Sequence, residues 1–177
     1  PLAGGEPVRL RDGGGLTLSP DGETAVYSSR GAVHRIRLVT PATGESDPPE
    51  PEQLFEARGG IGSLTFSPDG SRLAFVSRRG DHSFIGVWAE GDEAVTWMGP
   101  GVWSDAEPAW SPDGRRLAFV RTLSIPGLWP FVPVRETVPF SIQVGDPETG
   151  EIREVFREDE GAGSALRRRN GSTQIHW

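Results

Sequence analysis

Cysteine is absent from the 177 residues, which excludes disulfides and thiolate metal sites and leaves the redox compartment open. Lysine is absent too. All 18 basic residues are arginine, and asparagine and tyrosine occur once each, at Asn170 and Tyr27. Lys, Asn and Tyr share AT-rich codons, so the pattern points to a GC-rich bacterial genome and makes the arginine content partly a matter of codon use. No apolar run approaches the roughly 18 residues of a membrane-spanning helix, so no membrane span is expected. No signal peptide stands at Pro1, and any such segment is expected to have been removed or to lie upstream. The net charge of −7 argues against phosphate-backbone partners, and no nucleic acid is expected. His34, His82 and His176 show no ligand spacing. A nucleophile elbow, a phosphate loop, a zinc-protease helix motif and a calcium loop are all missing. No catalytic residue, metal or cofactor is therefore expected within this segment.

What the chain has in quantity is turn chemistry: 24 Gly and 16 Pro beside a hydrophobic share of 35%. That balance suits many short strands better than long helices. The turns recur. Trp110-Ser111-Pro112-Asp113-Gly114 is followed by Arg115-Arg116-Leu117-Ala118-Phe119-Val120. Phe66-Ser67-Pro68-Asp69-Gly70 precedes Ser71-Arg72-Leu73-Ala74-Phe75-Val76, and Leu18-Ser19-Pro20-Asp21-Gly22 is a weaker third copy. The serines fall at 19, 67 and 111, intervals of 48 and 44. In each copy Pro presets φ, Asp bonds to nearby backbone, and Gly takes the positive φ that closes the loop. Apolar, β-prone flanks make each copy a hairpin.

Between these hairpins the apolar runs supply two more strands per unit. Strands are expected at 15–18, 24–28, 33–39 and 53–57, then at 63–66, 72–77, 84–89 and 94–98. A third set is expected at 108–110, 116–121, 140–145 and 152–156. Four antiparallel strands per 44–48 residues form the blade of a β-propeller, which needs about 4 to 8 blades to close. The expected fold is all-β: a partial β-propeller of four-stranded antiparallel blades, with three full blades and partial blades at both ends. Residues 1–12 end a preceding blade. Residues 13–58, 59–100 and 101–160 are blades, the last with a long insert at 122–139, and 161–177 start the next blade. An isolated piece of this kind exposes strand edges and is expected to associate.

Strand alternation places the Ser-Pro-Asp-Gly turns and the Thr-Gly-Glu turns on one face. The opposite face carries the irregular charged connections, where function concentrates. Arg78, Arg79, Asp81 and His82 lie there. Asp81, His82 and Ser83 are sequence neighbours and cannot form a nucleophilic triad without unusual backbone. A turn held by Asp81 with arginine salt bridges to the next blade is the plainer reading. Carboxylate contact with a partner domain is the functional one. Glu107 enters the innermost strand near the central channel, where it could face a ligand or belong to a solvated turn before Pro108. The insert holds Leu128, Trp129, Phe131 and four prolines. Loops of that length are usually functional or disordered. It is expected to cover a blade edge or to form a contact surface, with Arg135 and Glu136 as polar anchors.

The repeat resembles the Tol-B-type propeller repeat over nearly the whole chain. Arg79-Gly80-Asp81-His82-Ser83-Phe84-Ile85-Gly86-Val87, Glu107-Pro108-Ala109-Trp110, Val138-Pro139-Phe140-Ser141-Ile142 and Gly161-Ala162-Gly163-Ser164 make a narrower match. They resemble the N-terminal propeller of bacterial serine peptidases of the prolyl oligopeptidase/dipeptidyl peptidase IV family. The resemblance implies a C-terminal α/β-hydrolase domain of the same parent chain as partner, a peptide substrate, and a homodimer as a further partner. It also implies propeller carboxylates that hold the substrate's amino group. The sequence has no Glu-Glu pair, so that role is expected in a blade outside these residues, with Glu107 and Glu136 as stand-ins. The function implied is gating and binding of peptide for a serine exopeptidase, in the periplasm or outside the cell. The rivals are a non-enzymatic Tol-B-like envelope propeller that binds proteins, and an accessory propeller of another hydrolase.

Overall fold

A computed structural model describes residues 14–38, 50–123 and 140–158. Among the described residues there are twelve strands and no helix. They are β1 (Gly14–Leu18), β2 (Thr24–Ser29), β3 (Ala32–Arg37), β4 (Glu52–Glu56), β5 (Gly60–Phe66) and β6 (Arg72–Arg79). The rest are β7 (His82–Ala89), β8 (Thr96–Trp97), β9 (Trp103–Trp110), β10 (Leu117–Leu123), β11 (Phe140–Gly145) and β12 (Ile152–Arg157). No described helix is long and apolar enough to cross a membrane.

The three repeated turns share one hydrogen-bond pattern. The hydroxyls of Ser19, Ser67 and Ser111 donate to Asp21, Asp69 and Asp113 at 2.5, 2.5 and 2.6 Å. Each hydroxyl also accepts the amide five residues on, from Thr24, Arg72 and Arg116, at 3.0, 2.9 and 2.9 Å. Each aspartate also accepts one backbone amide, from Glu23, Ser71 or Arg115. Serine and aspartate thus satisfy the backbone that a tight turn leaves unpaired. These bonds favour the carboxylate form. The Asp69 carboxyl is held down to about 2, first by the Ser67 hydroxyl and then by the Ser71 hydroxyl and amide.

One sheet has the order β1-β2-β3-β4, and the second runs β12-β11-β10-β9-β7-β6-β5 with β8 on β7. Neighbours are antiparallel throughout, save one parallel bridge between β7 and β9 at Ser83 and Ser104. The larger sheet therefore resolves into two antiparallel sets, β5–β8 and β9–β12. The bridge is reinforced by the Ser83 hydroxyl, which donates to the Asp105 carbonyl at 2.7 Å.

Strand β6 shows why these layers stack. Its residues are buried on both faces, as its apolar run predicts. Leu73 and Phe75 point into a core with Val26, Val33, Leu64 and Trp88. Ala74 and Val76 point into a second core with Ile85, Val87, Met98, Trp110, Leu117 and Phe119. The first core joins the smaller sheet to β5–β8, and the second joins β5–β8 to β9–β12. Trp110 adds a polar link, donating Nε1–H to the Thr65 carbonyl at 3.1 Å.

The first strand of each set carries a bulge at the same place. Register breaks in β1, β5 and β9 coincide with φ values of +58° at Gly15, +50° at Ser63 and +56° at Glu107. Each lies four residues before its turn serine. A bulge of this kind bends the strand and re-aims the neighbouring side chains.

Candidate functional site

The two ends of β6 differ in charge pairing. At the repeated-turn end, arginines meet carboxylates. Arg116 pairs with Asp146 at 2.9 Å, Arg72 with Glu148 at 3.4 Å, and Arg35 with both Glu52 at 2.8 Å and Glu90 at 3.0 Å. The Arg116–Asp146 pair also puts the β9–β10 and β11–β12 turns at the same end, as strand alternation requires.

At the opposite end of β6 the pairing stops. Arg58, Gly59, Arg78, Arg79, Gly80, His82 and Phe84 line an open cleft of about 570 Å³. Three arginines and a histidine line it, and among the described residues no carboxylate does. Asp81 sits beside it, with one oxygen 2.5 Å from His82 Nδ1.

Arg79 is the fixed member of this group. Its guanidinium carbon lies 4.8 Å from the ring centres of both Phe84 and Trp97. Contacts of this kind hold a cation over an aromatic face. Its Nε–H is shared between the Arg58 carbonyl at 3.3 Å and the Ser77 hydroxyl at 3.2 Å. The same Arg58 carbonyl accepts the Ser77 hydroxyl at 2.5 Å. Gly59, at φ +94°, lets the chain pass close to β6, and a Cβ there would overlap the Arg78 carbonyl. Arg78 lies across Gly62 of β5, where a side chain would displace its Nη1. The expected salt bridges from Arg78 and Arg79 to the next unit are not formed among the described residues; Arg79 is held by aromatic faces and backbone instead.

Glu107 and Asp105 occupy β9, away from this cleft. Both lie within strand β9 rather than in a solvated turn, Glu107 at its bulge. Glu107 is half-buried and holds the left-handed conformation of the bulge. Such a conformation costs a non-glycine residue of order 1–3 kcal/mol and clusters at functional positions. Asp105 is 1% exposed. It receives both arms of Arg121, at 2.7 Å from Nε and 2.8 Å from Nη2, and Arg121 also donates to the Gly99 carbonyl at 2.8 Å. Burial pushes the Asp105 carboxyl up, against the downward pull of Arg121. The pair is structural. Arg135 and Glu136 lie outside the described residues, as do residues 124–139 of the long insert.

Of the residues singled out in the sequence, the structure therefore gathers Arg78, Arg79 and His82, with Asp81 at the rim, and separates them from Glu107. Sequence reasoning missed Arg58, Phe84 and Trp97. The Arg58-Gly59-Gly60 triplet was the available signal for the first, since it marks a sharp turn next to a charge. Nothing local signals that Trp97 stacks on an arginine 18 residues earlier.

The sheets, their repeated turns and the stacked cores define a β-propeller segment. No protein-family model matches the sequence, and no curated protein matches it. Solved structures do. A protein assigned as TolB from Agrobacterium tumefaciens aligns with a TM-score of 0.53 at 19% identity, over 81% of this chain and 48% of that one. Prolyl oligopeptidase B from Galerina marginata, solved with a 25-residue macrocyclization substrate, aligns with a TM-score of 0.52 at 17% identity, over 84% and 24%. A protein assigned as dipeptidyl aminopeptidase IV from Bacteroides ovatus gives 0.52 at 13% identity, over 81% and 24%. The likeness is one of fold. The chain spans about half or less of the length of each of these structures.

Proposed function

We propose that this segment belongs to the propeller domain that gates and binds peptide for a serine exopeptidase of dipeptidyl peptidase or prolyl oligopeptidase type. The catalytic α/β-hydrolase domain would lie elsewhere in the parent chain. One observation carries the reading. The stretch that most resembles those peptidases, Arg79 to Val87, forms the β6–β7 turn and strand that border the cationic cleft. In this reading Arg78, Arg79, Asp81 and His82 contact peptide or the partner domain, and Glu107 faces the channel from its bulge. Arg135 and Glu136 anchor the insert against the same partners. The propeller's task is to restrict and orient the peptide, while the chemistry belongs to the other domain. The periplasm or the extracellular medium is the compartment that fits.

A fluorophosphonate probe applied to the source protein tests this. A labelled band well above 19.1 kDa on a denaturing gel is expected. Absence of label from the parent protein would overturn the reading. It would favour the second one, a Tol-B-like envelope propeller that binds proteins without catalysis, which the three repeated turns support equally well.

A further inference from the structure

We propose that the cleft at the β6–β7 end is a carboxylate-binding site, with Arg58 and Arg78 as the grasping cations and Arg79 as their fixed base. The ligand would be a carboxylate carried by a peptide, either its C-terminal group or an Asp or Glu side chain. Its identity as a peptide rests on the reading above; the assignment of an anion rests on the cleft itself.

Charge and geometry carry it. The chain is acidic, with 25 Asp and Glu against 18 Arg, and its arginines at the turn end find carboxylates readily. Arg58, Arg78, Arg79 and His82 line one cleft of about 570 Å³, and among the described residues no carboxylate lines it. Asp81, next to His82 in the sequence, has an oxygen 2.5 Å from His82 Nδ1. Like charges brought together repel, and an anion between them relieves that repulsion while gaining charge-assisted hydrogen bonds. The site is also prebuilt. Arg79 is held against the rings of both Phe84 and Trp97, and among the described residues only its Nε–H is engaged by protein acceptors. A guanidinium fixed in advance loses little freedom on binding. Gly59 and Gly62 bring β5 and its lead-in close under Arg78 and Arg79, so a side chain at Gly62 displaces the Arg78 fork and one at Gly59 meets the Arg78 carbonyl and Arg79 Cγ. The protein's acidic surface disfavours extended polyanions, and the open cleft admits the end or side chain of one peptide.

The test is binding of fluorescent peptides of one length to the purified protein: neutral with a free C-terminus, neutral and amidated, and amidated with one internal Glu. Inorganic phosphate serves as competitor. Arg78→Ala and Arg58→Ala are the variants; both side chains are exposed, so folding is expected to survive. Arg78→Lys separates the fork from the charge. The expected result is that peptides with a carboxylate bind and the fully neutral amidated peptide does not. Each alanine variant then weakens binding about tenfold or more, and the lysine variant recovers only part of it. Binding by the free-terminus peptide alone assigns a C-terminal carboxylate, and binding by the Glu peptide alone assigns a side chain. If all three peptides bind alike and the variants change nothing, the carboxylate site is wrong and peptide binding stands. If no peptide binds, both fail. If phosphate binds in an Arg78-dependent way and no peptide does, the cleft is a free-anion site and the proposal is overturned.

Discussion

At the scale of single residues, the turn aspartates carry a pH signature. The Asp69 carboxyl is held at about 2 rather than 3.8, and those of Asp21 and Asp113 are lowered too, first by the hydroxyls of Ser19 and Ser111. A folded value below the unfolded one means that the contribution to stability is complete above about 3.8 and is lost as the pH falls through about 2. Urea denaturation at pH 7, 4, 3 and 2 is expected to show stability falling over the last steps, with a shallower fall in Asp69→Asn. A second prediction concerns Asp105 and Arg121. Asp105→Ala leaves a buried guanidinium without its carboxylate and is expected to cost about 3–5 kcal/mol in chemical denaturation, whereas a double replacement by apolar residues costs less. The turn bonds were legible in the sequence because Ser, Pro, Asp and Gly act on their own neighbours. The Asp105–Arg121 pair was not. It joins two strands 16 residues apart, and only the pairing of β9 with β10 brings it together.

At the scale of strands, most of the fold could be read in advance. The twelve strands expected within the described residues are present, because apolar runs between turn signals are sufficient to place them; the next-blade start expected at 161–177 lies outside the described residues. The errors at β5 and β9 have a common cause. The first strands were expected at 63–66 and 108–110 but run from Gly60 to Phe66 and from Trp103 to Trp110. The bulges at Ser63 and Glu107 break the period-2 alternation, so the earlier halves looked like loops. Strand β8, expected at 94–98, is only Thr96–Trp97. Cross-strand packing at Gly86 gives a sharper prediction. Gly86 pairs with Phe75 across β6 and β7, and a Cβ on Gly86 would meet the Phe75 ring at 2.5 Å and Val95 at 2.9 Å. Phe75 is 0% exposed. Phe75→Ala is expected to cost about 3–5 kcal/mol, and Gly86→Ala to destabilise by overpacking rather than by a cavity. The two changes together should be less damaging than the sum of the parts, which a double-mutant cycle reads directly.

At the scale of the molecule, apolar surface stands open at the sheet margins. Leu16 and Leu18 of β1 are 69% and 54% exposed, and Val155 and Phe156 of β12 are 47% exposed each. Edge strands of this kind recruit further strands. A polypeptide of these 177 residues alone is expected to self-associate in light scattering, and a monodisperse monomer would speak against the partial-propeller account. The charge asymmetry between the two ends was only half legible. Strand alternation placed Arg78, Arg79 and His82 on the loop face, but their convergence with Arg58, Phe84 and Trp97 depends on how β5, β6, β7 and β8 stack. The most direct check on which end works is amide hydrogen exchange of the protein with and without saturating carboxylate-bearing peptide. Protection is expected at residues 58–62 and 78–84, with the turns at 67–71 and 111–115 unchanged. Protection at those turns, with residues 58–62 and 78–84 unaffected, would show that the binding face has been assigned to the wrong end.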